Sequence, residues 1–209
     1  MIKVILCDDH AMLRRGIRET LTDTVDIQVV GEAGSYGDVR TLLREQACDV
    51  LVLDLNLPGR GGLEILASVR ESHPDVRVLM LSMYEADQYA IRCLRAGAYG
   101  YLNKSGDPAE IVAAVRALGL RKKYLTPEIS EMLVNTLSQP EGTAAHSTLS
   151  EREMQTLLKI AAGKKLSDIA DELMLSPKTV SVYRTRLLEK LQLSSNAELA
   201  IYATRNNLM

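Results

Sequence analysis

The 209-residue chain is 46% hydrophobic and 25% charged, an ordinary composition for a globular protein with room for two cores; it lacks Phe and Trp, so those cores must be aliphatic. Its net charge of −2 hides an asymmetry: residues 1–120 hold 13 basic and 17 acidic side chains, residues 121–209 hold 12 and 10, which points to two halves with different partners. No apolar run approaches the length of a bilayer span, and the start "MIKVILCDDH" lacks the long apolar region and cleavage site of a signal peptide, so a cytoplasmic protein is expected.

Along the chain, short aliphatic runs alternate with amphipathic stretches. The runs are "IKVILC", "IQVVGEA", "VLVLDL", "VRVLMLS" and "YGYLNKS". Between them helices are predicted over roughly 12–22, 37–46, 61–71, 86–96 and 108–118. Five strands each followed by a helix imply a parallel sheet covered on both faces. Cys7, Cys48 and Cys93 are odd in number and set among apolar residues, which suits buried reduced thiols. His10, His73 and His146 have no ligand-like spacing and read as surface or local residues.

From 121 to 147 the pattern changes. "RKKY" leads into an amphipathic helix, "TPEISEMLVNTL", with Pro127 in its first turn, and then "SQPEGTAAHS" has the small, polar, broken character of a linker. Beyond it the chain reads as helical. Starts are marked by "SERE" at 150, by Ser167 or Lys165, by "SPKT" at 176 and by "SSNAE" near 195.

Parallel sheets place their chemistry at the carboxyl ends of the strands. Here those ends carry Asp8 and Asp9, Asp54, Ser82 and Lys104. The run "LVLDLNLPGRGG" delivers Asp54 from a fully apolar strand and breaks at Pro58-Gly59. Three carboxylates at one mouth repel one another unless a cation sits among them, and magnesium, a hard ion that takes oxygen ligands, fits that set with the Asn56 carbonyl completing it. Lys104 would neutralise a second side, Ser82 would bond an incoming anion, and Asp54 could act as a nucleophile forming an aspartyl phosphate. Singly, each acid reads equally as a turn or cap residue. Together, at successive strand ends, they read as one phosphoryl site.

On "CDDH", "LVLDLNLPGRGGLE", "LMLS" and "GYLNK", residues 1–120 resemble the receiver domain of two-component response regulators. The resemblance implies a flavodoxin-like α/β fold with strand order 2-1-3-4-5. It also implies Asp54 as phosphoacceptor, Asp8, Asp9, Asp54 and the Asn56 carbonyl as magnesium ligands, Lys104 as phosphoryl partner, and Ser82 with Tyr101 as the switch pair. Ser105 departs from the proline that many receivers carry after the lysine. A phosphoryl group that Ser82 and Lys104 reach only by moving their loops would bias an equilibrium of conformers. The face affected runs from Ser82 through residues 85–118, where Met83, Tyr84, Tyr89 and Tyr101 read either as part of the switch or as packing.

In "LSDIADELMLSPKTVSVYRTRLLEKLQL" two helices flank a short break. Ile169, Ala170 and Leu173 stripe the first; Val180, Tyr183, Leu187, Leu188 and Leu191 stripe the second. Over 176–192 four bases face one acid, which suits phosphate contacts, and short side chains let a helix approach base edges. Residues 148–209 are similar throughout to the LuxR-type (NarL/FixJ) helix-turn-helix, an all-α domain of four helices. By position in that motif, Ser181, Val182 and Thr185 would face bases, and Lys178, Thr179, Arg184 and Arg186 would serve phosphates. Thr179 also reads as a helix-start residue. Lys164 and Lys165 would substitute for an Asn-Lys pair replaced here by Ser167-Asp168.

The sequence thus predicts three segments: a receiver over 1–120, a linker with a helix over 121–147, and a DNA-binding domain over 148–209. The expected partners are a cognate sensor histidine kinase, inverted-repeat double-stranded DNA, a second copy of the chain when phosphorylated or DNA-bound, and RNA polymerase, with no membrane. Two rivals use the same residues: a small magnesium-dependent phosphotransferase, and a receiver that senses a ligand or docks a partner without phosphorylation. An RNA-binding output lacks the stacking aromatics it would need on the basic helix.

Overall fold

The computed structural model describes residues 1–57, 60–83, 86–138, 145–206 and 208. The expected Pro58-Gly59 break, Tyr84 and most of the expected linker lie outside the described residues. The chain divides into two compact units, Met1–Ser138 and Gln139–Met209.

In the first unit the order is β1 (Ile2–Cys7), α1 (Ala11–Thr22), β2 (Ile27–Ala33), α2 (Tyr36–Glu45), β3 (Val50–Asp54), α3 (Gly62–Ser72), β4 (Arg77–Ser82), α4 (Ala86–Arg95), β5 (Gly100–Asn103), α5 (Pro108–Gly119) and α6 (Pro127–Ser138). Each of the first five helices falls within one residue of its predicted bounds, because the apolar periodicity and the flanking strands agree. The strands form one parallel sheet in the order β2-β1-β3-β4-β5. Every residue of β3 and β4 is buried, as expected of central strands covered on both faces. Val4, Leu6, Val50, Val52, Leu79 and Leu81 pack on one face with Leu21 of α1 and Ile111, Val115 and Leu118 of α5. The alternate residues Ile5, Leu51, Leu53 and Met80 are fully buried on the other face.

The end of β3 is held closely from two sides. Leu55 N–H donates to the Leu81 carbonyl at 2.8 Å, and Gly62 N–H donates to the Leu55 carbonyl at 2.9 Å. A Cβ on Gly62 would stand 2.7 Å from the Asp54 carbonyl oxygen, so only glycine lets α3 begin against the strand end. All three cysteines are free; Cys7 and Cys93 are buried, whereas Cys48 is half-buried, its thiol 3.2 Å from the Val50 carbonyl. Burial pushes the Cys7 and Cys48 thiols up to about 12.

The second unit contains a 3-10 turn (Ala145–Thr148) and helices α7 (Glu151–Ala161), α8 (Leu166–Glu172), α9 (Pro177–Leu191) and α10 (Asn196–Arg205). Ser150, Ser176 and Ser195 cap α7, α9 and α10, each accepting an N–H from the third residue on. Lys165 occupies the cap position of α8 and makes no side-chain cap. Leu157, Ile169, Ala170, Val180, Leu187, Leu199 and Ala203 are fully buried.

At the start of α7 a capping box is reinforced by charge. Ser150 accepts from Glu153 N–H, Glu153 Oε2 accepts from Ser150 N–H at 2.7 Å, and Lys190 of α9 donates to the same oxygen at 2.6 Å. Burial pushes the Glu153 carboxyl up, but Lys190 and the Ser150 amide and hydroxyl outweigh it and hold the group below its ordinary value. The stabilisation from Glu153 is therefore complete above the unfolded glutamate pKa of about 4.3 and is lost as pH falls through the lower folded value. Ser150→Ala is expected to cost about 1 kcal/mol, read as faster native-state amide exchange across α7 in the full chain. Lys190→Ala should speed that exchange at neutral pH and lose its effect once acid has protonated Glu153; an equal effect at all pH values contradicts this assignment.

Candidate functional site

The carboxyl ends of β1, β3 and β5 bring Asp8, Asp54 and Lys104 into contact. Lys104 Nζ lies 2.7 Å from Asp8 Oδ2 and 2.7 Å from Asp54 Oδ2, and all three side chains are at most 4% exposed. The remaining oxygens are held by backbone: Asp8 Oδ1 accepts from His10 N–H at 2.8 Å, and Asp54 Oδ1 accepts from Asn56 N–H at 3.0 Å. These Asx turns explain why the chain bends immediately after each acid. Lys104 N–H donates to the Ser82 carbonyl at 2.8 Å, so the lysine and the end of β4 move as neighbours. Ser82 is fully buried, and Tyr101, paired with Met80 across the β4–β5 ladder, is buried beside it.

Electrostatics at this mouth are unbalanced. Burial pushes the Asp54 carboxyl up; Lys104 and the Asn56 amide oppose the rise, and Asp8 adds to it. Asp8 Oδ2, Asp54 Oδ2 and Asp9 Oδ1 are buried atoms whose charge contacts lack the alignment of a hydrogen bond. Three carboxylates against one ammonium leave two negative charges. Ligand atoms of Asp8, Asp9, His10 and Asp54 lie within 4.8 Å of one another, so this oxygen-rich set fits a divalent cation in both charge and spacing.

Two residues at this mouth were not singled out as site residues from the sequence. His10, read there as a surface or local residue, is indeed exposed, yet its Nδ1 stands 2.8 Å from Asp9 Oδ1. Its position directly after the acid pair was the available signal. Arg14, one turn into α1, donates to the Asp8 carbonyl and pairs with Glu32 of β2 at 3.2 Å, fixing the β1–α1 loop. A partner 18 residues away leaves no local pattern.

In the second unit, α8, a turn and α9 present the expected helix-turn-helix order. Lys178, Ser181, Val182, Thr185 and Arg186 line shallow grooves on one exposed face of α9, with Thr179 at its edge. Val182 is 43% exposed, an apolar group among polar ones. Arg184 corrects the sequence expectation of a phosphate contact. At 100° per residue it falls on the inner side of α9, where its Nε donates to Asn196 Oδ1 at 2.6 Å and braces α9 against the start of α10. Lys164 is ion-paired with Glu172, which Lys159 also contacts, and the two lysines hold that carboxyl down at about 2. Lys165 is exposed and makes no ion pair among the described residues.

Residues 4–116 match the response regulator receiver domain, and residues 147–203 match the bacterial regulatory proteins of the luxR family. The response regulator GacA of Pseudomonas syringae pv. syringae is 41% identical over 210 residues, covering 100% of this chain and 98% of that protein. The response regulator UvrY of Escherichia coli K12 is 39% identical over 209 residues, covering 100% and 96%. Among solved structures, RcsB from Salmonella enterica serovar Typhimurium, bound to promoter rprA with the phosphomimetic BeF3−, is similar with a TM-score of 0.65. The two are 26% identical, over 97% of this chain and 98% of that one.

Because the folded Asp54 carboxyl is raised, the wild-type chain loses stability as pH climbs from below the unfolded aspartate value of about 3.9 up through the folded one. Asp54→Asn removes that loss and leaves Lys104 paired with Asp8. In chelator its unfolding midpoint should exceed the wild type's at pH 7, and the gap should close at acid pH. A lower midpoint at pH 7 would show that the Lys104 contact outweighs burial.

Proposed function

Because the chain belongs to the NarL/FixJ, LuxR-type family of two-component response regulators, DNA-binding transcriptional regulators switched by phosphorylation, we propose that Asp54 is its phosphoacceptor. The observation carrying this reading is the contact of one buried lysine with two buried carboxylates at adjacent strand ends, in a pocket with excess negative charge. The donor is a phosphohistidine of a cognate sensor kinase. An Asp54 oxygen forms the new bond to phosphorus, the phosphorus–nitrogen bond breaks, and the leaving imidazole takes its proton from solvent. Magnesium, held by Asp8, Asp9, Asp54 and the Asn56 carbonyl, would neutralise the transferring oxygens. Lys104 exchanges a carboxylate for a phosphoryl oxygen, and the Ser82 hydroxyl turns to the same group. Their shared backbone hydrogen bond couples the two movements, with Tyr101 repacking beside them.

Domains are assigned as a receiver over 1–120, a joint with a helix over 121–147 and the output over 148–209. In the output, Ser181, Val182 and Thr185 meet base edges in a major groove, with Val182 suited to thymine methyl groups, while Lys178, Thr179, Arg186 and Lys165 meet phosphates. Lys164 contributes only if it leaves Glu172. The RcsB structures include one bound to a promoter and one with two dimers on two parallel DNAs. By analogy this chain pairs two copies on an inverted repeat and from there meets RNA polymerase. Among the described residues no helix is long and apolar enough to cross a membrane, and we place the protein in the cytoplasm as a regulator rather than an enzyme.

Acetyl phosphate with magnesium should add one phosphoryl group to the wild type and none to Asp54→Ala, and only the wild type should gain DNA affinity. A mass gain that survives Asp54→Ala refutes the assignment. Arg186→Ala should weaken binding to all sequences alike and reduce the log–log salt slope by about 1. Val182→Ala should instead alter sequence preference; equal salt slopes for the Arg186 variant and wild type contradict the phosphate role.

A further inference from the structure

His10 occupies the cap position of α1, yet its side chain caps nothing. Its backbone is fixed from both sides: its N–H bonds Asp8 Oδ1, and its carbonyl accepts from Arg14 N–H at 3.0 Å. The imidazole is thereby set over the acids, with Nδ1 2.8 Å from Asp9 Oδ1 and 3.3 Å from Asp8 Oδ1, while its side chain stays 66% exposed. A cation entering the mouth meets this ring with little rearrangement.

We propose that His10 adds a nitrogen ligand to the acidic pocket, so that the site accepts first-row transition dications such as manganese as well as magnesium. The inference rests on reading this pocket as the metal site of the receiver. Magnesium takes oxygen and keeps its waters, so an imidazole offers it little; first-row transition ions accept mixed nitrogen and oxygen sets, and imidazole strengthens their binding. Asp8, Asp9, Asp54 and His10 supply three oxygens and one nitrogen within the spacing of a single ion. His73 has no such setting: its Nδ1 lies 2.9 Å from the Ser72 hydroxyl. His146 contacts Tyr202 in the other unit. Metal identity would then matter to the regulator, since a tighter ion holds the pocket in its loaded form at a lower concentration.

The test uses the full chain with one equivalent of manganese, read by electron paramagnetic resonance for affinity and by spin-echo modulation for bound nitrogen. Wild type should show nitrogen modulation. His10→Gln should lose it and bind manganese about tenfold more weakly, on the scale that a ligand's supporting partner is worth at protein metal sites. Magnesium affinity, measured by competition, should stay unchanged. Modulation absent from the wild type, or persisting in His10→Gln, overturns the proposal while leaving the magnesium site standing. An equal loss for both ions also overturns it, because His10 then only positions Asp9. If neither ion binds, or if Asp54→Asn leaves both affinities unchanged, the underlying reading of the pocket falls as well.

Discussion

One buried ammonium shared between two buried carboxylates is the interaction on which the rest of the receiver turns. Lys104 satisfies Asp8 and Asp54 only partly: its contacts are short but unaligned, and Asp54 stays harder to ionise than a solvated aspartate. Burying charge is costly and pairing recovers only some of that cost. Negative charge left over at the mouth makes a place for a cation, and a cation with a lysine makes a place for a phosphoryl group. Anything that binds there must redistribute Lys104, and Lys104 is tied by its own amide to the end of β4.

Apolar packing makes this arrangement possible. β3 and β4 are buried along their whole lengths, so the strand ends are held in register by ladder bonds and by aliphatic layers on both faces. Gly62 lets α3 start against the Asp54 carbonyl, which keeps the acid from receding into its loop. The scaffold is rigid because its core is close-packed, and the chemistry is confined to five short loops.

The alternation of buried strands with amphipathic helices was legible in the sequence, as were the residues at the strand ends, because both depend on local periodicity. The cap serines at 150, 176 and 195 were legible for the same reason. Arg184 was not: a basic residue on a recognition helix reads as a phosphate ligand, and only the fold shows Asn196 beside it, 12 residues on. His10 was passed over because ligand spacing was sought among histidines rather than between one histidine and its neighbouring acids. Arg14 was invisible because its partner lies on another strand. Each miss is a tertiary pairing that helical or strand periods do not encode.

The output unit expresses the same economy in a different chemistry. Its core aligns α9 so that Lys178, Val182 and Thr185 face outward, while the Ser150, Glu153 and Lys190 contacts fix α7 to α9. The central claim, that Asp54 takes the phosphoryl group and Lys104 follows it, is tested most directly by a crystal structure of the full chain with magnesium and beryllium fluoride. The account predicts beryllium bonded to an Asp54 oxygen, with Lys104 Nζ on a fluoride and the Ser82 hydroxyl turned toward the adduct. Beryllium on another side chain, or an adduct on Asp54 with Lys104 still bridging Asp8 and Asp54, would contradict it.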